Sequence, residues 1–147
     1  MLQTPEKLPI LLLSARTSLL PQLRATLNHH SITEQQWRIL DTLKKHPGCC
    51  SFELAQLTCI LSPSLSNLIA KLENQGLVSR WQNDSDQRSK HIALTSKGEN
   101  LYDTIFSSLE TRYYRQLNEC LDESDMSTLI SLLHKIIDNQ QAPSVAQ

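Results

Sequence analysis

Two stretches of the chain carry side chains suited to gripping phosphates and base edges. The first runs from Pro63 to Gln75, where Leu65, Leu68, Ile69 and Leu72 recur at helical spacing and predict one buried stripe. The opposite side then presents Pro63, Ser64, Asn67, Ala70, Lys71 and Asn74, with Ser66 at the edge and Ser62 just ahead. Small hydroxyls and an amide approach base edges closely, and a helix N-terminus itself attracts a phosphate. The second stretch is Asp86-Gln87-Arg88-Ser89-Lys90. An arginine at a hairpin tip can enter a minor groove, and Asp86, two residues earlier, can hold its guanidinium in a bidentate pair. Each feature alone also describes ordinary surface, a solvated helix face or a weak salt bridge. Their adjacency favours DNA.

A second constellation suits a small acid. Arg16 falls in the middle of an apolar stripe, one turn from Leu12, Leu19 and Leu20. A cation facing an apolar seam is costly unless it is paired or partly solvated. Either it bridges to an acidic residue across a dimer, or it anchors the carboxylate of an aromatic acid. Trp37 offers such a ligand an aromatic wall, or is simply core, and His30 and Arg38 near the same junction complete the polar set. The four cysteines (Cys49, Cys50, Cys59, Cys120) show no CxxC spacing, and no Arg or Lys stands beside Cys49, Cys50 or Cys59 to activate a thiol. His46-x-x-Cys49-Cys50 lacks the second pair that a zinc site needs, so no metal or cofactor is expected.

These residues need elements to position them. Leu8, Leu12, Leu19, Leu20, Leu23 and Leu27 predict a first helix from about 8 to 28, kinked at Pro21. Thr33 and Gln36 form a capping box, with Ile32 and Trp37 as its hydrophobic staple, and Pro47-Gly48 ends that helix. Ser51 is expected to cap a short helix from Phe52 to about Thr58, and Ser62-Pro63 to open the next, which Gly76 closes. Two helices so joined predict a helix-turn-helix. The period then changes to two: residues 77–81 and 91–95 alternate as strands around the turn-rich segment 83–86. A hairpin directly after a helix-turn-helix is a wing. Long helices at Ser96 to about Cys120 and Ser124 to Asp138 follow, with a disordered tail expected from Asn139. The fold expected is mainly α with a small β-hairpin wing, a winged helix-turn-helix dimerised through its N- and C-terminal helices. It forms a single domain over 1–147, with a core at about 33–97 and dimerisation helices at about 7–29 and 96–139.

Bulk properties narrow the alternatives. The net charge is −1, but between Ser62 and Lys97 five basic residues oppose three acidic ones, so the middle of the chain is the basic part. Only three glycines occur, and neither a nucleophile elbow nor a phosphate loop is present, which argues against an enzyme. The apolar run from Leu8 to Leu13 is far too short to span a bilayer, so a cytoplasmic protein is expected. Two rivals share the fold: a thiol-based redox sensor, and a winged-helix interaction module that binds no DNA.

The segment Gly76-Leu77-Val78-Ser79-Arg80, then Asp86-x-Arg88, then Leu94-Thr95-x-Lys97-Gly98 resembles the MarR family of bacterial regulators, and the likeness covers nearly the whole chain. It implies an obligate dimer that reads a palindromic operator, and in many members repression relieved by aromatic acids. Thr33-Glu34-Gln35-Gln36-Trp37-Arg38, Cys59-Ile60-Leu61-x-Pro63-Ser64-Leu65 and Asp86-Gln87-Arg88 are similar, more narrowly, to repressors of homoprotocatechuate degradation operons. That likeness implies a hydroxyphenylacetate inducer, with hydroxycinnamates or salicylate as alternatives. Ser62 stands where those relatives carry a basic residue, and His91 where many wings carry another arginine.

Overall fold

In the computed structural model, which describes residues 5–141 and only the backbone of Asp86, Gln140 and Gln141, a 3-10 turn at Pro5–Lys7 leads into α1, Leu8–Asn28. This helix continues through Pro21. α2, Glu34–Lys45, starts at the expected capping box: Thr33 Oγ1 accepts from the Gln36 amide and Gln36 Oε1 accepts from the Thr33 amide. Ile32 and Trp37 are both buried beside it, consistent with the staple.

Two caps fall one residue earlier than the sequence suggests. α3, Ser51–Thr58, is capped by Cys50 rather than Ser51, with Glu53 reaching back to the Cys50 amide at 3.0 Å. α4, Ser62–Asn74, takes Ser62 as its first helical residue and Leu61 as its N-cap, with no capping side chain. Pro63, which lacks an N–H, fits the first turn without loss. Gly76, at φ 72°, supplies the left-handed residue that ends this helix.

The wing is longer and tighter than its alternation implies. β2, Val78–Asn83, and β3, Asp86–Leu94, leave only Asp84-Ser85 as the turn. Gln82 pairs with Lys90 but Asn83 pairs with Asp86, so β3 bulges at Gln87-Arg88-Ser89. Arg88 therefore stands on a bulge beside the tip, not at the tip itself, and bulges re-aim side chains in this way. A third strand, β1 at Cys49–Cys50, pairs antiparallel with Ile92 and His91 and gives the order β1-β3-β2. Two residues carry no periodicity, so this strand is invisible in the sequence.

The predicted helix from Ser96 to Cys120 is three segments: α5, Ser96–Leu109, a π-helical turn at Glu110–Tyr114, and α6, Arg115–Cys120. α7, Glu123–Gln141, extends past Asn139, where disorder was expected; the rest of that tail lies outside the described residues. The core unites Leu27 of α1 with Ile39, Leu40 and Leu43 of α2, Leu54, Leu65, Leu72, Ile92 and Ile105, all at most 1% exposed. Among the described side chains of α7 none is buried, and the helix makes at most glancing contact with the rest of the described chain. Among the described residues no helix is long and apolar enough to cross a membrane.

Candidate nucleic-acid interface and effector site

Burying Leu65, Ile69 and Leu72 fixes the rotation of α4 about its axis. Ser62, Pro63, Ser64, Ser66, Asn67 and Lys71 are then all exposed. Because no side chain caps α4, the N–H groups of its first turn remain available to a phosphate. The far end of α4 is locked to the wing. Arg80 on β2 clasps Glu73 through both Nε and Nη2, and that bond holds the Glu73 carboxyl below its usual pKa.

Downstream, the segment Leu94-Thr95-x-Lys97-Gly98 works as a clamp. Thr95 Oγ1 donates to the Gly76 carbonyl at 2.6 Å and accepts from the Gly98 amide, while Lys97 Nζ donates to the Gln75 carbonyl. These bonds join the end of α4, the return of the wing and the start of α5. On β3, Arg88 and Lys90 are exposed and Ser89 is half-buried. The side chain of Asp86, and with it the expected pairing to Arg88, lies outside the described residues. His91, which looked like a departure from a basic wing, bridges instead: Nδ1 lies 2.9 Å from the Gly48 carbonyl and Nε2 3.2 Å from Asn83 Nδ2, and the ring stacks on Trp81.

The four candidate effector residues separate into three places. Arg16 and Arg38 converge on Glu34: Arg16 Nη2 donates to Glu34 Oε1 at 3.2 Å, and Arg38 Nε lies 3.0 Å from the same oxygen. Arg16 thus pairs within its own chain, where the sequence offered either an acid across a dimer or the carboxylate of a ligand. Two guanidiniums on one carboxylate leave a positive excess where the middle of α1 meets the start of α2. Trp37 turns the other way into the core and stacks on Tyr102 with centroids 5.0 Å apart. Tyr102 in turn donates to Asp41 at 2.9 Å, and burial pushes its pKa up. His30 faces α5, with Nε2 3.2 Å from Ser108 Oγ. It lines a cavity of about 390 Å³ with Thr26, His29, Ser108, Thr111 and Arg112.

Sequence reasoning missed Glu34 and Arg112. Glu34 could have been found as the acid four residues before Arg38, at helical pairing distance; Arg112 depends on a π-turn that no pattern announces. Of the cysteines, Cys49 is buried and its thiol is pushed up in pKa by that burial, the reverse of an activated thiolate.

A model of the MarR family matches residues 32–90. Over a longer span of 131 residues, the chain is 38% identical to the HTH-type transcriptional regulator FarR of Neisseria gonorrhoeae, covering 89% of each chain. The chain belongs to the MarR family. Its likeness to the homoprotocatechuate degradative operon repressor of Escherichia coli is 36% over 132 residues, 90% of this chain and 88% of that one. Among solved MarR-family structures, NadR in complex with 4-hydroxyphenylacetate superposes with a TM-score of 0.83 at 35% identity, covering 93% of this chain and 95% of that one. The fold and family are those of DNA-binding transcriptional regulators rather than enzymes.

Proposed function

We propose that this MarR-family protein is a dimeric repressor of an aromatic-acid catabolic operon, released from its operator by a phenolic acid of the hydroxyphenylacetate or homoprotocatechuate class. The observation that carries the reading is the pair of relatives, each about as similar as the other over nine-tenths of the chain: one represses homoprotocatechuate degradation and the other holds 4-hydroxyphenylacetate.

The local chemistry supports it. Ser62, Pro63, Ser64, Ser66, Asn67 and Lys71 enter the major groove while Arg88, Ser89 and Lys90, with Asp86 beside them, reach the neighbouring minor groove. The inducer's carboxylate is drawn to the positive excess at Arg16 and Arg38, while Trp37, stacked in the core, and His30, on the cavity against α5, stand apart from that pair. Half-sites about 34 Å apart require both recognition helices at once, so a small reorientation by the acid releases the operator.

The test is fluorescence anisotropy on the intergenic duplex upstream of the protein's own gene, with and without 3,4-dihydroxyphenylacetate. Tight binding weakened by the acid is expected. Binding indifferent to it, but weakened by a hydroxycinnamate or salicylate, would move the inducer class. Absence of specific binding at moderate salt would overturn the repressor reading.

A further inference from the structure

The turn between α3 and α4 sets where the DNA-reading helix points, yet little in its own sequence holds it. Cys59 sits in the left-handed region at φ 54° without being glycine, a conformation that persists only when its surroundings enforce it. No side chain caps the N-terminus of α4, and Leu61, its N-cap residue, is 80% exposed. Within the turn, Ile60 alone is anchored in the core.

The remaining support comes from α2. Arg38 Nη1 donates a 2.6 Å hydrogen bond to the carbonyl of Thr58, the last residue of α3. Unpaired carbonyls and the negative end of the helix dipole favour a cation there. The side chain is about three-quarters shielded, so water competes weakly for the bond. Its orientation is set by Glu34, whose Oε1 lies 3.0 Å from Nε although out of line for a hydrogen bond. The same oxygen accepts from Arg16 on α1. A continuous chain of contacts therefore runs from α1 through Glu34 and Arg38 to the carbonyl that precedes the turn.

We propose that Arg38 is a positioning residue for DNA recognition, clamping the α3–α4 turn from α2, and that Glu34 ties this clamp to the dimerisation helix α1. The inference deepens the repressor reading and rests on it for its consequence. An acid that pairs with Arg16 competes with Glu34 for its partner, releases Glu34 from α1, and so changes its hold on Arg38 and is felt at the turn that aims α4. Arg38 itself touches no DNA.

Three variants test this. Arg38→Met keeps the apolar stem and removes the donors. It lowers operator affinity by about tenfold, the loss expected for one charge-assisted hydrogen bond. The slope of log affinity against log salt stays unchanged, because no phosphate contact is lost. Adding Cys59→Gly, which adopts φ 54° without strain, restores part of that affinity.

Hydrogen exchange of the Cys59, Ile60 and Leu61 amides, measured without DNA, is faster in Arg38→Met and in Glu34→Gln than in the wild type. A salt slope reduced by about one would make Arg38 a phosphate contact and overturn the proposal. Unchanged exchange at the turn, in Arg38→Met protein whose circular dichroism matches the wild type, would remove the clamp. Unchanged exchange in Glu34→Gln alone would cut α1 out of the linkage. Wild-type protein that binds no operator would sink the repressor reading, while the exchange data would still decide the clamp.

Discussion

At Gly98 there is no room for a side chain: a Cβ would come 2.0 Å from the carbonyl oxygen of Leu77. That carbonyl already accepts from the Thr95 amide, so it cannot move aside without releasing the start of α5. Gly98→Ala is therefore expected to lower stability by about 1–3 kcal/mol, read as a fall in Tm at fixed protein concentration. An unchanged Tm would show that the strand end yields freely. The sequence displayed this glycine within the segment that ends Leu94-Thr95-x-Lys97-Gly98, but not the reason for it, because the contact joins residues from separate elements. Glu34 teaches the same lesson. The sequence leaves Arg16 either paired with an acidic residue or open to a ligand's carboxylate; its pairing with Glu34 depends on how α1 crosses α2, and no local pattern encodes that angle.

Among the elements, α3 depends most on its cap. It has eight residues, too few to be stable on propensity alone. The Cys50 amide donates to Glu53, and this bond holds the Glu53 carboxyl below its usual pKa. A lowered folded-state pKa means that the cap's contribution is fully present above the ordinary carboxylate value, about 4.3, and is lost as pH falls through the lowered one. Glu53→Ala should be less stable than the wild type at pH 7 in urea denaturation, and the gap should close as the pH drops below about 4. A gap independent of pH would assign the loss to something other than the charged cap. Strong periodic stripes made the helices of the winged core legible, and the Thr33 and Gly76 signals placed their ends. The cap at Cys50 was missed because cysteine is a poor capping residue, even though the Glu53 spacing was present. The wing's alternation was legible but its bulge was not, since a register shift depends on both strands at once.

For the whole molecule, the uncovered apolar surface is the feature that most needs a partner. Ile10 and Leu13 of α1 are 69% and 63% exposed, and Leu132 and Ile137 of α7 are 50% and 49% exposed. Contiguous apolar faces of this kind are seldom left to water. They lie on the first and last helices, at opposite ends of the chain, and α7 has almost nothing of its own chain to pack on. In the proposed dimer, a second copy presenting the same faces under two-fold symmetry would cover both at once. Ile10→Glu combined with Ile137→Glu should convert a dimer into a monomer at micromolar concentration in sedimentation velocity, while the winged core, which neither residue enters, keeps its circular dichroism. Operator affinity should then fall towards the level of non-specific binding, by about a thousandfold or more, because one recognition helix reads only one half-site. A variant that stays dimeric would place the interface elsewhere. One that becomes monomeric yet keeps full operator affinity would show that a single winged unit reads the site, and would remove the geometric basis on which a small acid could release it.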